Sequence, residues 1–263
     1  DPEETKKIIR EYDIRGVYDT DYNADFASLL GRALAKYFRK YSKPGKGRST
    51  YRIAVGRDAR PSGDEITPRF INALLEEGFD VYELGIVPTP LVYFSCFNLD
   101  VDGSVSITGS HNPSEYNGFK ICLGTSTLHG EQIQELFQLC SQIAAEKPTA
   151  HSKGRLVKQD IISAYLTDVK SRVKINRPLT VVIDAGNGTA SVVAPQLLKD
   201  LGCNVIPLFC ELDGRFPNHH PDPTVVENLV DLQKMVAKHK ADLGIAYDGD
   251  ADRIGAIDEN GRP

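Results

Sequence analysis

The sequence predicts an α/β protein made of two related three-layer α/β domains with mixed, largely parallel sheets. Three observations carry that prediction. Short β-rich runs alternate with amphipathic helical runs along the chain. The order strand, polar glycine loop, helix ending in glycine, strand occurs twice, as IAVGRD with NALLEEGFDVYEL and as VVIDAG with PQLLKDLGCNVIPL. This weak repeat implies two related units with right-handed crossovers. Finally, 263 residues are long for one ordinary domain and suit two of roughly 100 to 150 residues, each burying its own core.

Taken in order, Asp25 to Tyr41 sets Leu29, Leu30, Ala33, Leu34, Tyr37, Phe38 and Tyr41 at helical three-and-four spacing. The basic loop SKPGKGRST ends that helix and YRIAVGRD follows as a strand. Ser62 with Glu65 three residues on reads as a capping box opening a helix to Gly78, with Pro68 near its first turns. FDVYELG is a strand, PTPLVYFSCF a short helix after its prolines, SVSIT and GFKICL two more strands. Gly130 to Glu146 is helical, with Ile133, Leu136, Phe137, Cys140 and Ile143 on one face.

The polar stretch AEKPTAHSKGR (145–155) breaks the periodicity, so the spacing places a first domain over 1–150 and a second over 151–256. In the second, Asp160 to Val173 is a helix, LTVVID a strand, DAGNGT a glycine turn, SVVAPQLLKDLG a helix and NVIPLFC a strand. ADLGIAYDGDADRIGAIDENGRP reads as strand, acidic loop, strand and an Asn260-Gly261 turn of the hairpin type. Residues 257–263 are expected to begin a linker to a further domain.

Composition narrows the function. With 41% hydrophobic and 25% charged residues the chain has an ordinary soluble make-up, and no apolar run approaches the ~18 residues of a membrane span. DPEETKKIIR lacks a signal-peptide core, so a cytoplasmic enzyme or binding protein is expected. A formal charge of -5 argues against a nucleic-acid surface. The five cysteines are odd in number and show no CxxC spacing, so free, mostly buried thiols are expected. His219 and His220 point apart in an extended chain and read as structural.

Asp248, Asp250 and Asp252 recur at alternate positions between two β-like stretches. Unpaired, three converging carboxylates repel one another; a hard divalent cation such as Mg²⁺ relieves the repulsion. A solvated turn is the plain alternative. An EF-hand would use Asp248, Asp250, Asp252 and Glu259, but Arg253 stands where its glycine is needed. The aspartyl-phosphate motif of haloacid-dehalogenase-like phosphatases has Thr or Val where Asp252 stands.

Ser110 lies in VSITGSHNPSEYNGFK, where an apolar alternation breaks into small and turn-forming residues. At the carboxyl end of strand SVSIT its hydroxyl could be presented to a ligand, although a plain turn serine reads equally well. TGSHN is not the GxSxG of serine hydrolases, and a serine hydroxyl needs a base or a cation to become a nucleophile. A serine loop and a metal loop meeting across a domain interface would suit phosphoryl transfer.

TGSHNPSEYNGFK, DGDADR and EYDIRG together resemble the α-D-phosphohexomutases. Residues Asn117 to Lys120 (NGFK) and FPNHHPDP are most similar to the phosphomannomutase/phosphoglucomutase branch; a phosphoglucosamine mutase would be expected to carry NGIK and a different N-terminal stretch. The resemblance implies that Ser110 is a phosphoserine, and that Mg²⁺ is held by Asp248, Asp250, Asp252 and an oxygen on Ser110. It implies a phosphosugar substrate, hexose 1-phosphate interconverting with hexose 6-phosphate through a hexose 1,6-bisphosphate. Arg15 and Lys120 match positions that contact the phosphoryl group. His111 matches an acid or base acting on the sugar hydroxyl; Tyr12, Asn112 and Arg253 match substrate or phosphate contacts. Arg57 and Arg60 of GRDAR stay open between site and salt bridge. Complete members of the family have four domains, so C-terminal domains would complete the site and this chain alone is expected to turn over little. A non-catalytic phosphosugar-binding or metal-binding module is the alternative from another class. The sequence leaves open a preference for mannose or glucose.

Overall fold

The computed structural model describes residues 6–148 and 152–263. The boundary expected at 150/151 falls on residues outside the described ones, as do residues 1–5 of the N-terminal stretch. Among the described residues the strands form two sheets, one of seven strands and one of four.

The first sheet contains β1 (Ile14–Val17), β2 (Arg52–Arg57), β3 (Asp80–Ile86), β4 (Gly103–Ile107), β5 (Tyr116–Leu123), β6 (Ser126–Thr127) and β7 (Leu156–Lys158). Its order is β1-β5-β4-β2-β3-β7, with β6 hairpinned onto β5. β4, β2, β3 and β7 run parallel, while β5 and β1 are antiparallel additions. The second sheet runs β11 (Ile254–Asp258), β10 (Leu243–Tyr247), β8 (Thr180–Asp184), β9 (Asn204–Leu208), parallel except for β11. Both sheets are therefore mixed and largely parallel, as the alternating pattern predicts. The repeat in the sequence is also real, since β2 and β3 pair directly and parallel, as do β8 and β9.

Helices α1 (Ala24–Tyr41), α2 (Gly63–Glu76) and α4 (Glu131–Ile143) cover one face of the first sheet. α1 begins where the Asn23 side chain accepts from the amides of Asp25 and Phe26. It buries Leu30, Leu34 and Phe38 on that face, together with Ile53, Val55 and Val105 of the sheet. The other face packs on α3 (Thr89–Asn98) and α5 (Ile162–Arg172), in a cluster that continues to Val193 and Leu197 of the second half. In the second sheet, period-two alternation sends Val182, Ala246 and Ile257 to α7 (Val230–His239), and Val181 and Ile183 to α6 (Ala194–Asp200).

Several expectations change in detail. Ser62 does not cap α2: its backbone is already helical and its hydroxyl makes no capping bond. That hydroxyl instead accepts from Asn117 Nδ2 at 2.9 Å, so a tertiary partner displaces the local one. The run SVVAPQLLKDLG divides into a short 3₁₀ turn (Thr189–Val192) and α6, because Pro195 seats best in a first helical turn, where no amide is needed. α7 was not expected, since only Leu232 and Val236 of it are buried and its apolar signal is thin. Strand β7 pairs with β3, so the chain is still part of the first sheet at Lys158. All five cysteines are free, and no helix among the described residues is long and apolar enough to cross a membrane.

Candidate active site at the junction of the two sheets

The loops that follow β4 in the first sheet and β10 in the second carry the serine and the aspartates. Thr108, Gly109 and Ser110 leave β4 in a sharp turn with Ser110 in the left-handed region at φ 51°. Its Oγ lies 3.1 Å from Asp248 Oδ2 and 3.4 Å from His111 Nδ1. The two loops therefore meet. Glycine is obligatory at 249, since a Cβ there would lie 2.5 Å from the Ser110 carbonyl oxygen.

Asp248, Asp250 and Asp252 each offer a carboxylate oxygen, and these atoms lie within 4.8 Å of one another. Flanking strands β10 and β11 rule out the helix-loop-helix of an EF-hand. Asp250 is wholly buried, and its two oxygens differ. Oδ2 accepts from Thr89 Oγ1 at 2.7 Å, Thr108 Oγ1 at 3.1 Å and Lys120 Nζ at 2.8 Å; Oδ1 is buried with no hydrogen-bond partner among the described residues. An orphaned carboxylate oxygen beside two more carboxylates is the fit expected for a hard cation.

The electrostatics agree. Burial, then the charges of Asp250 and Asp252, push the Asp248 carboxyl well above the usual range. Burial works the same way on Asp250, but Lys120 and the Thr89 hydrogen bond outweigh it and keep that carboxyl ionised. Lys120 in turn resists the cost of burial because Asp250 and Asp252 hold its proton. One lysine thus faces three acids, leaving a net negative pocket that a divalent ion would neutralise.

Around this pair of loops opens a cleft of about 630 Å³ lined by Arg10, Tyr12, Arg15, Ser110, His111, Asn112, Lys120 and Arg253 among others. Of the residues the resemblance points to, Tyr12, Arg15, Ser110, His111, Asn112, Lys120, Asp252 and Arg253 line this cleft, while Asp248 and Asp250 are fully buried. Arg15, on β1, donates to Asn112 Oδ1 at 2.7 Å and to Asp13. Tyr12 is 70% exposed at the rim. Burial, then the positive charges of Arg253 and Arg15, hold the His111 ring below its ordinary pKa, so it is neutral and able to accept a proton near pH 7. Arg57 bonds Asp64 and lies outside the cleft. His219 is structural: its Nε2 meets Asp184 Oδ2 and its Nδ1 the His220 carbonyl, each at 2.8 Å.

Four supporting residues were not assigned from the sequence. Thr89 and Thr108 hold Asp250 from the first sheet; Asp58 and Arg60 brace the serine loop. Only Arg60 carried a signal, as one of two undecided arginines in GRDAR.

Comparison with known proteins follows the same outline. Residues 6–147 match the family model for phosphoglucomutase/phosphomannomutase alpha/beta/alpha domain I, and residues 163–261 match domain II. A phosphomannomutase/phosphoglucomutase of Pseudomonas putida is 44% identical over 254 residues, covering 97% of this chain and 52% of that protein. A phosphoglucomutase of Neisseria gonorrhoeae is 43% identical over 98% of this chain and 54% of its own length. The crystal structure of a phosphoglucomutase/phosphomannomutase family protein from Burkholderia thailandensis superposes with a TM-score of 0.88 at 36% identity, covering 98% of this chain and 56% of that one. The chain thus spans about half the length of the relatives it matches.

Proposed function

The chain belongs to the phosphoglucomutase/phosphomannomutase family, and on that premise we propose that it carries the phosphoryl-transfer and metal-binding part of a phosphohexomutase site. The observation that carries this reading is the 3.1 Å approach of Ser110 Oγ to Asp248 Oδ2, beside a cleft lined with cationic side chains. In the proposed reaction a phosphoryl group on Ser110 Oγ passes to the free 6-hydroxyl of a hexose 1-phosphate, whose proton leaves to a base. The resulting hexose 1,6-bisphosphate returns its other phosphoryl group to Ser110, leaving hexose 6-phosphate. Relatives bear both phosphomannomutase and phosphoglucomutase names, so mannose and glucose phosphates are both proposed substrates.

The roles follow from position. Ser110 carries the phosphoryl group. Arg15, Lys120 and Arg253 neutralise its oxygens, with Asn112 orienting Arg15; neutral His111 is placed to take the hydroxyl proton. Tyr12 forms the rim against which a sugar would lie. Asp248, Asp250 and Asp252, with an oxygen on Ser110, would hold Mg²⁺. That ion would supply charge neutralisation at the phosphoryl group. Five free thiols suit a reducing compartment, so we place this chemistry in the cytoplasm. Two domains meeting at the cleft are the proposed working unit. With about half the length of its relatives, this chain is expected to take up phosphate but to complete few mutase cycles.

The test is phosphosite mapping after incubation with glucose 1,6-bisphosphate and Mg²⁺, with and without a chelator. Chelator-sensitive phosphate on Ser110 is the expected result. Phosphate on Asp248 would mean aspartyl-phosphate chemistry instead, and no phosphate at all would favour a binding module without transfer.

A further inference from the structure

Among the described residues Arg60 is the largest side chain that is fully buried, and it lies outside the cleft lining. A guanidinium has five N–H donors, and each one here has a named acceptor. Nε donates to Asp58 Oδ2 at 2.8 Å. Nη1 reaches the carbonyls of Tyr116, at 3.0 Å, and Pro113. Nη2 reaches those of Ser110 at 2.9 Å and Asn112 at 2.7 Å. A core ion pair would need only the bond to Asp58. Three of the five donors go instead to the irregular loop that carries Ser110, and a fourth to Tyr116, where that loop enters β5.

That loop is closed locally by the Ser110 amide on Thr108 Oγ1 at 2.8 Å and the Asn112 amide on the Gly109 carbonyl at 3.0 Å, and it contains a non-glycine residue at φ 51°. Such a conformation persists only where its surroundings over-determine it. Asp58 supplies the opposite jaw, accepting from the Gly109 amide at 3.0 Å and facing, at 2.9 Å, the Thr108 hydroxyl, whose single hydrogen is shared between Asp58 and Asp250. Gly109 packs so closely on the guanidinium that a Cβ would sit 2.4 Å from Arg60 Cζ. From the second half of the chain, the Phe216 ring covers the guanidinium with its centroid 5.1 Å from Cζ.

We propose that Arg60 is a positioning residue for phosphoryl transfer: its five-donor clamp fixes the left-handed backbone of Ser110 and so holds Oγ against the aspartate loop. The inference rests on the functional reading above, and it adds that the serine's aim is set by a buried arginine that touches no substrate. Phe216 couples the clamp to docking of the second sheet, so the serine loop is fully fixed only when both halves are in contact.

The test compares the wild-type chain with Arg60→Lys, which keeps a charge opposite Asp58 but cannot fork to four carbonyls. Two readouts are taken: amide hydrogen exchange over residues 109–113, and the single-turnover rate of Ser110 phosphorylation against glucose 1,6-bisphosphate concentration with Mg²⁺. Expected are faster exchange confined to that loop and a maximal rate lower by about 100-fold, the scale of a small misplacement of reacting atoms, at an unchanged half-saturating concentration. Wild-type exchange and maximal rate in a merely less stable variant would overturn the proposal and leave Arg60 a core ion pair. A rise in the half-saturating concentration alone would also overturn it, assigning Arg60 to donor binding. If Arg60→Lys does not fold, Phe216→Leu takes its place, with the same signs and smaller size expected and wild-type behaviour overturning the clamp. Should the wild-type chain accept no phosphate on Ser110, the functional reading fails, and hydrogen exchange alone then decides whether Arg60 fixes the loop.

Discussion

Lys120 Nζ, on the first sheet, lies 2.8 Å from Asp250 Oδ2 at the end of the second. Both side chains are nearly or wholly buried, so the contact is a desolvated ion pair between the two halves of the chain. Removing the lysine alone strands a carboxylate in the interior, a change that costs about 3–5 kcal/mol in comparable settings.

Lys120→Met is therefore expected to lower stability by that order, and Mg²⁺ should restore more of it than in the wild type, because a divalent ion can replace the lost charge. Urea midpoints with and without Mg²⁺ measure this. An equal response to Mg²⁺ in both proteins would contradict a shared negative pocket.

Thr89 tests how the second sheet's aspartate is held from the first. Thr89→Val removes one donor from Asp250 Oδ2 while keeping shape, at a cost of about 1–3 kcal/mol for the buried oxygen. Cation affinity by titration calorimetry should fall several-fold, whereas Thr89→Ser, which keeps the hydroxyl, should bind nearly as the wild type does. Equal affinities for valine and serine at 89 would show that the hydroxyl does not orient Asp250.

Ser110 pairs function with backbone strain. Phosphate uptake should vanish in both Ser110→Ala and Ser110→Gly. The glycine variant should be the more stable of the two by on the order of 1 kcal/mol, because only glycine takes a positive φ without steric cost. Thermal melts of the two variants decide it; an alanine variant equal to or above the glycine one would mean the turn is unstrained.

His219 gives a pH dependence away from the cleft. Burial disfavours its charged form, but the hydrogen bond and charge of Asp184, the His220 carbonyl and the charge of Asp231 outweigh that, so its pKa is raised on folding. A raised pKa contributes stability that is complete below the unfolded value, about 6.5, and is lost as pH rises through the folded value. The stability difference between wild type and His219→Gln should thus be larger at pH 5.5 than at pH 8.5. A difference that grows with pH would show the sign to be wrong.

Particular elements show how far the sequence could be read. α1 was legible because three-and-four spacing of Leu30, Leu34 and Phe38 survives in the packed core, and Asn23 caps it through a purely local bond. The Ser62 capping box failed because Asn117, fifty-five residues away, supplied a competing partner. Ser110 and the three aspartates stood out as chemistry without a local structural use. Thr89 and Asp58 did not, since threonine after proline and aspartate after arginine are ordinary loop residues until their distant partners are known.

What the sequence by itself determined is most of the strands and helices, though not β1, β6, β7 or α7, together with their repeat and the two loops at strand ends that hold a serine and a carboxylate triad. These follow from periodicity and turn chemistry, which act over a few residues. Tertiary structure alone decided which oxygen of Asp250 is bonded and which is orphaned, that Lys120 answers two aspartates, and that Arg60 grips the serine loop. The reason is register: pairing Ser106 with Lys120 across β4 and β5 fixes where the ammonium emerges. A one-residue slip would turn it to the opposite face.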